Sequence, residues 1–186
     1  YKDLSFKIDV PTENAGNFSL FGIGGLSYIE FLDSDTDSSA YSYSTRAGTD
    51  TYNGSDMGAI GLTHSYFFDN NTQIKTSLSL SGKQVETRVD TTNVAENSDK
   101  LFYHENNKQY TYSFSTKFVK KFNAKNNISA GIIWDNHNIN YSDSTRTGAD
   151  SFEKLLQVDK NNLHLFQSYA QWQHNFSDRL TLYTGL

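Results

Sequence analysis

Apolar and polar residues alternate with a period of two along residues 163–186 of the chain. Phe166, Ala170, Trp172 and Phe176 occupy one set of positions, and glutamines fill most of the other set. After a short polar break, leucines alternate with threonine, tyrosine and glycine. A period of two on both sides of a short turn predicts a β-hairpin. An apolar face opposed to a face of Gln, Thr and Gly is typical of a transmembrane β-barrel, where one face meets lipid and the other a wet lumen.

The same alternation recurs along the chain and predicts an all-β fold, an antiparallel up-and-down meander of about eight strands that is part of a transmembrane β-barrel. Phe68, Phe122 and Phe176 each lie at a predicted strand end, just before a short turn. In the second predicted strand, Gly22, Gly24 and Gly25 allow a bulge or a close approach of two backbones.

Long polar segments separate the predicted hairpins on the side opposite the short turns. Loops are predicted over residues 33–56, 90–107 and 141–162, and residues 152–158 are compatible with a turn or two of helix within the third. Loops of this length are uncommon inside compact domains. Outer-membrane barrels combine such loops outside with short turns on the periplasmic side.

Composition excludes several classes of protein. The 186 residues carry 16 basic and 21 acidic side chains without a basic cluster, which argues against nucleic acid as a partner. The absence of cysteine excludes a disulfide framework and thiolate metal sites. No apolar run reaches the roughly 18 residues of a transmembrane helix. The mean hydropathy of −0.63 remains compatible with a barrel, because only every second residue of its strands must be apolar.

Two stretches resemble a known family in residue detail: LSFKIDVPTENAGNFSLFGIGGLS at residues 4–27 and SYAQWQHNFSDRLTLYTGL at residues 168–186. Both are similar to barrel hairpins of TonB-dependent outer-membrane receptors of the Bacteroidetes type. The resemblance implies a barrel of about 22 strands around an N-terminal plug, powered through the inner-membrane TonB complex. It also implies import of a scarce solute, such as a metal chelate, a glycan or a cofactor, across the bacterial outer membrane. No covalent chemistry and no bound cofactor are expected, so the chain is not expected to be an enzyme.

The chain opens on Tyr1 and stops at Leu186 within a strand pattern. We therefore expect residues 1–186 to be a single barrel segment of a longer protein. The plug and the TonB box of the family are not found in this sequence, so this segment would contribute wall and outer loops. Its partners would be outer-membrane lipid, the imported solute and, through the missing N-terminal part, the TonB complex.

The apolar positions of the predicted strands are expected to face acyl chains. The residues predicted to face the membrane are Phe114, Phe118, Phe122, Ile132, Trp134, Phe166, Trp172, Phe176, Leu180 and Leu182.

Aromatic residues in the predicted loops are candidates for contact with a solute. Tyr41, Tyr43 and Tyr52 lie in the first loop, and Phe102 and Tyr103 lie in the second. Their rings could stack on a sugar or another flat ligand face, although such aromatics also occur in membrane-interface belts and in loop packing.

A polar row on the seventh predicted strand is the other candidate contact surface. Gln167, Tyr169 and Gln171 share a face opposite Trp172. They would face the lumen, where they either bind a solute or the plug or simply hydrate the wall.

Three alternate carboxylates, Asp33, Asp35 and Asp37, have a spacing that suits a hard cation such as calcium. The glycine and terminal glutamate of an EF-hand loop are missing, and a solvated acidic loop explains the same pattern. The five histidines show no spacing typical of a metal site, so no metal centre is predicted.

Two other functions fit the same alternation. A small self-contained outer-membrane barrel would act as an adhesin or structural protein through its loops. A soluble β-sandwich that binds carbohydrate would bury the aromatic face between two sheets. A hydrolase is not indicated, because no pair of carboxylates stands out.

Overall fold

The computed structural model describes residues 1–33, 48–93, 98–148 and 151–186, and its regular elements are all β-strands. Because these elements are all strands, the all-β prediction is confirmed. No helix within these ranges has the length and apolar character needed to cross a membrane. The strands are β1 (Lys2–Pro11), β2 (Asn17–Phe31), β3 (Thr49–Asp69), β4 (Thr72–Asn93), β5 (Ser98–Lys121), β6 (Asn126–Arg146), β7 (Phe152–Ser177) and β8 (Leu180–Gly185).

The strands form one sheet in chain order, and each is antiparallel to the next. This arrangement confirms the predicted up-and-down meander of eight strands. Among the described residues, β1 pairs only with β2 and β8 only with β7, so the sheet is open at both edges.

Short turns join β1 to β2, β3 to β4, β5 to β6 and β7 to β8 at one end of the sheet, termed the turn end. Asp69 closes the second of these turns: its carboxylate accepts a hydrogen bond from the Asn71 N–H at 2.6 Å and one from the Thr72 hydroxyl at 3.0 Å. These hydrogen bonds to the carboxylate lower the pKa of Asp69. Asp and Asn favour turns because their side chains bond to the backbone two residues on.

At the opposite end of the sheet, the structure has strands where the sequence predicts loops. β3 begins at Thr49, β4 continues to Asn93 and β5 resumes at Ser98, so much of the first two predicted loops is strand. The third predicted loop is strand up to Arg146 and again from Phe152. The possible helix at residues 152–158 is wrong, because this segment extends β7 and pairs with β6.

Register gives the sheet two chemically different faces, because directly paired residues of antiparallel strands lie on the same face. One row crosses seven strands and is apolar at every position. It consists of Ile8, Leu20, Leu62, Leu78, Phe114, Trp134 and Phe166. The face that carries this row is termed the apolar face, and the opposite one the polar face.

The apolar face is uncovered. None of the described hydrophobic side chains is buried, and the chain therefore has no apolar core of its own in this region. Phe166 is 75 % exposed and Ile132 is 50 % exposed. A soluble domain normally buries its apolar sheet face against a second layer.

Aromatic rings lie over directly paired glycines at four strand interfaces. The pairs are Phe6 over Gly22, Phe21 over Gly61, Tyr110 over Gly82 and Tyr169 over Gly131. Such rings cover glycines and help to fix register in sheets.

The glycine cluster of β2 keeps regular pairing with both neighbours. β2 pairs with β1 and β3 without a register shift, so the predicted bulge is wrong. A Cβ atom placed on Gly24 would make an ordinary contact, 3.4 Å from the carbonyl oxygen of Met57 on β3, whereas one placed on Gly22 would clash with the Phe6 ring. The close approach in this cluster is therefore that of a ring at Gly22, not of two backbones.

Candidate functional site

The apolar face carries a band of hydrophobic side chains next to the turn end. On β5 the band extends from Tyr110 to Phe118, with Thr116 as its polar position, and this length is close to the roughly 9–11 residues with which a tilted strand crosses a bilayer. Beyond Tyr110 the same face carries Lys108, Asn106 and His104. The band therefore has a defined upper limit on this strand, and the strand continues past it.

The residues predicted to face the membrane come together on this face. Register or strand alternation places all ten of them there, with Phe122, Phe176 and Leu180 exposed at the turn end. The two tryptophans differ in depth, because Trp134 lies in the fully apolar row and Trp172 lies closer to the turn end, paired with Ile128. The Trp172 indole donates to the side-chain oxygen of Asn126 at 3.3 Å.

Aromatic and histidine rings stack along the turn end of the apolar face. The rings of Phe18 and His64 are stacked with centroids 4.4 Å apart, and the Nε2 atom of His64 lies 2.6 Å from the Ala15 carbonyl oxygen. At the other side of the sheet, His174 meets Phe176 edge-on at 4.4 Å. Rings with an apolar body and a polar tip are typical of membrane–water interfaces.

The polar face presents hydroxyl and amide groups at the level of the apolar band. The hydroxyls of Thr63 and Ser77 are hydrogen-bonded across β3 and β4 at 3.0 Å. The predicted contact residues Gln167, Tyr169 and Gln171 lie on this face, paired with β6. They are therefore placed on a common polar surface, as their spacing predicts.

An open groove of about 850 Å³ runs along β1 to β5, mainly on the polar face. Small side chains leave the space for it, among them Gly25, Ala59 and Ser81, and Lys83 and Gln109 supply polar groups. A groove of this size accommodates a small organic solute.

The aromatic candidates of the predicted loops are not brought into one site. Tyr52 pairs with Arg88 on the apolar side of the extended hairpins, whereas Tyr103 lies on the polar side. Phe102 lies at a register shift of β5, and its carbonyl oxygen accepts a hydrogen bond from the Thr145 hydroxyl at 3.4 Å. Tyr41 and Tyr43 lie outside the described residues.

Tyr103 occupies an acidic environment far from Gln167, Tyr169 and Gln171. Its hydroxyl donates to Glu105 at 3.2 Å, and burial, followed by the charge of Glu105, raises the pKa of the phenol. Tyr103 pairs with Thr145, and Gln167 pairs with Ile133 on the same strand, which separates them by roughly 40 Å along β6. The predicted contact residues therefore do not form a single pocket.

The calcium candidate is only partly within the described ranges. Asp35 and Asp37 lie outside them. The Asp33 carboxylate accepts a hydrogen bond from the Gly48 N–H at 2.6 Å, and its own N–H donates to Asp50 at 2.8 Å. Within the part of the chain that the structure describes, no group of three His, Asp or Glu side chains is arranged to hold a metal ion.

One pair of residues on the polar face was not singled out by the sequence. Lys75 and Lys117 are direct cross-strand partners, so two ammonium groups project from adjacent strands at one position. Only the register between β4 and β5 reveals this pairing, because the two residues are far apart in the chain.

No family model, curated protein or solved structure matches the chain. The resemblance to TonB-dependent receptors therefore rests on the two quoted stretches alone. What the chain does must be argued from the two faces of its sheet.

Proposed function

We propose that the chain is a wall segment of an outer-membrane β-barrel, of the type found in TonB-dependent transporters. In this proposal the apolar face meets acyl chains and the polar face lines an aqueous lumen. A scarce solute, such as a metal chelate, a glycan or a cofactor, would pass along the polar face. The plug and the energy-coupling segment would belong to the rest of the protein.

The observation that carries this proposal is the uncovered apolar face. Seven apolar side chains, from Ile8 to Phe166, form one row across seven strands, and none of the described hydrophobic residues is buried. At about 25 cal/mol per Å² of apolar surface, leaving such a band in water is costly. Lipid removes the cost without a second protein layer, which is the arrangement of outer-membrane barrels.

The width of the apolar band supports the same proposal. Strands that extend beyond a band about 25 Å tall are expected when hairpins project above the outer leaflet. β5 has this form, since its residues from Ser98 to Gln109 continue the strand past Tyr110. The short turns all lie at the opposite end, as on the periplasmic side of such barrels.

The open edges of the sheet favour a larger barrel over a small complete one. β1 and β8 are not paired with each other in the described sheet, so further strands are needed to satisfy their backbone groups. A small barrel acting as an adhesin would instead join these two edges. The soluble sandwich is disfavoured, because the described strands provide one sheet and a sandwich needs two.

Cysteine labelling of neighbouring residues tests the assignment of the two faces. The chain contains no cysteine, so Leu78→Cys and Ser79→Cys each introduce a single thiol, on the apolar and on the polar face respectively. In outer membranes that contain the full protein, Ser79→Cys should react with a water-soluble maleimide and Leu78→Cys only with a lipid-soluble one. Equal reaction of both variants with the water-soluble reagent would contradict the proposal.

The transporter and the adhesin are distinguished by a different measurement. The full-length protein, purified in detergent, should bind the periplasmic domain of the TonB protein from the same cells. Absence of binding, together with the labelling pattern above, would favour a barrel that acts only through its outer hairpins.

A further inference from the structure

Two like charges face each other on the polar face of the sheet. Lys75 on β4 and Lys117 on β5 are direct partners in register. The ion pairs found among the described residues involve neither of them. Like charges directly opposite each other destabilise a sheet. Both side chains are exposed, so water screens part of this repulsion and a dissolved anion can reach both ammonium groups.

The carboxylates on the same face are distant or already paired. Asp135 is four positions further along β6 than Gly131, the partner of Lys117, and this separates them by roughly 14 Å along the strand. Asp9 lies on β1, three strands from β4 and roughly 14 Å away. Its carboxylate forms an ion pair with Lys7 at 2.9 Å.

Hydroxyl groups flank the two lysines at the same level of the sheet. Ser65 pairs with Lys75 on one side. On the other side, Gly131 pairs with both Lys117 and Tyr169. Because Gly131 has no side chain, the Tyr169 ring lies over it, and a Cβ atom there would be 2.7 Å from the Cζ atom of the ring. One position across five strands thus carries four hydrogen-bond donors, and the ring of the fourth fills the space over Gly131.

We propose that Lys75 and Lys117, flanked by Ser65 and Tyr169, form an oxyanion site that binds a carboxylate or phosphate group of a ligand on the polar face. An oxyanion between two ammonium groups removes their repulsion and accepts charge-assisted hydrogen bonds, which are roughly twice as strong as neutral ones. The Tyr169 ring lies over Gly131, so at this position no β6 side chain stands between the ring and Lys117. The site belongs to the polar face alone and does not depend on what covers the apolar face.

Binding of simple anions to the full-length protein in detergent micelles tests the site. The probes are inorganic phosphate and succinate, titrated calorimetrically at an ionic strength fixed with sodium chloride. Lys75→Gln or Lys117→Gln should weaken binding about tenfold or more, as expected for the loss of one charge-assisted hydrogen bond. The double variant Lys75→Arg, Lys117→Arg should retain binding.

Lys108→Gln is the control. Lys108 lies on β5, as Lys117 does, and it pairs with Gln84 and Asn140, not with a lysine. The substitution removes the same charge nine positions along the strand, roughly 31 Å away, so it should leave binding unchanged. A response to phosphate alone or to succinate alone identifies which group the site takes.

A second readout does not need a bound anion. In low salt without either probe, Lys117→Gln should raise the thermal midpoint, because it removes the repulsion, and Lys108→Gln should not. Absence of saturable binding of both probes to the unmodified chain would overturn the site. Equal weakening by Lys108→Gln, or no rise of the midpoint for Lys117→Gln, would overturn it as well.

Discussion

The ring of Tyr169 lies over Gly131, its direct partner on β6, so closely that a Cβ atom on the glycine would be 2.7 Å from the Cε1 and Cζ atoms of the ring. The same Cβ atom would be 2.7 Å from the carbonyl oxygen of Thr116 on β5. A ring can rotate away, but the backbone of a paired strand cannot. The glycine is therefore required by its neighbours on both sides.

Gly131→Ala should lower the free energy of unfolding by about 1–3 kcal/mol, the usual cost of overpacking. Urea unfolding of the chain in detergent or bilayers measures it. Gly25→Ala is the control, because the nearest atom to its Cβ would be the Lys2 carbonyl oxygen at 3.5 Å, an ordinary contact. A Gly131→Ala variant as stable as Gly25→Ala would show that the ring and the strand do not approach as described.

Two adjacent isoleucines on β6 lie on opposite faces of the sheet, so the same substitution can be compared on each face. Ile132 lies on the apolar face and Ile133 on the polar face, paired with Gln167. If the apolar face meets lipid, Ile132→Lys should destabilise the folded chain in bilayers by up to about 2–4 kcal/mol, the cost of a lysine near the midplane. Ile133→Lys should cost much less, since its ammonium group reaches water. Equal costs in urea titrations from liposomes would argue against a lipid-facing surface.

Much of the fold follows from the sequence because the apolar band imposes a period of two. Within the band most residues at every second position are apolar, so alternation reveals the strands, and the polar turns between them are short. Outside the band this signal disappears. Residues such as Asn106 and Asn107 on β5 are polar on both faces, and a segment of that kind reads as a loop.

Backbone pairing explains why those segments are strands. Each extended hairpin continues hydrogen bonds that the band has already aligned, so it needs little side-chain burial. The leucines of residues 152–158 suggested a helix, but pairing with β6 overrides this local preference. The lysine pair on the polar face could not be predicted from the sequence. The pairing of Lys75 with Lys117 depends on the register between distant segments, which composition and spacing do not specify.

Alkaline pH should destabilise the extended hairpins through Tyr103, which lies above the apolar band. Burial and Glu105 raise the pKa of its phenol above the usual value of 10.0. A group with a raised folded pKa contributes stability that is complete below the unfolded pKa and is lost as pH rises through the folded pKa. The free energy of unfolding should therefore fall above about pH 10, and Tyr103→Phe should reduce this fall.

Urea titrations at a series of pH values between about 9 and 12 check this expectation, since that window spans the unfolded pKa. Tyr183→Phe, which removes a phenol that is 61 % exposed on β8, controls for the loss of one hydroxyl. A Tyr103→Phe profile that coincides with that of the unmodified chain would contradict the assigned environment of Tyr103.

The most direct measurement of the lipid-facing surface is quenching of the two tryptophans by brominated lipids. Trp172→Phe leaves Trp134 as the single reporter, and Trp134→Phe leaves Trp172. In liposomes, Trp134 should be quenched most strongly by bromines deep in the acyl chains. Trp172, about six positions nearer the turn end along the sheet, should be quenched by bromines close to the headgroups. If lipid bromines do not quench the fluorescence of either tryptophan and only a water-soluble agent does, the result would contradict a sheet that faces the membrane.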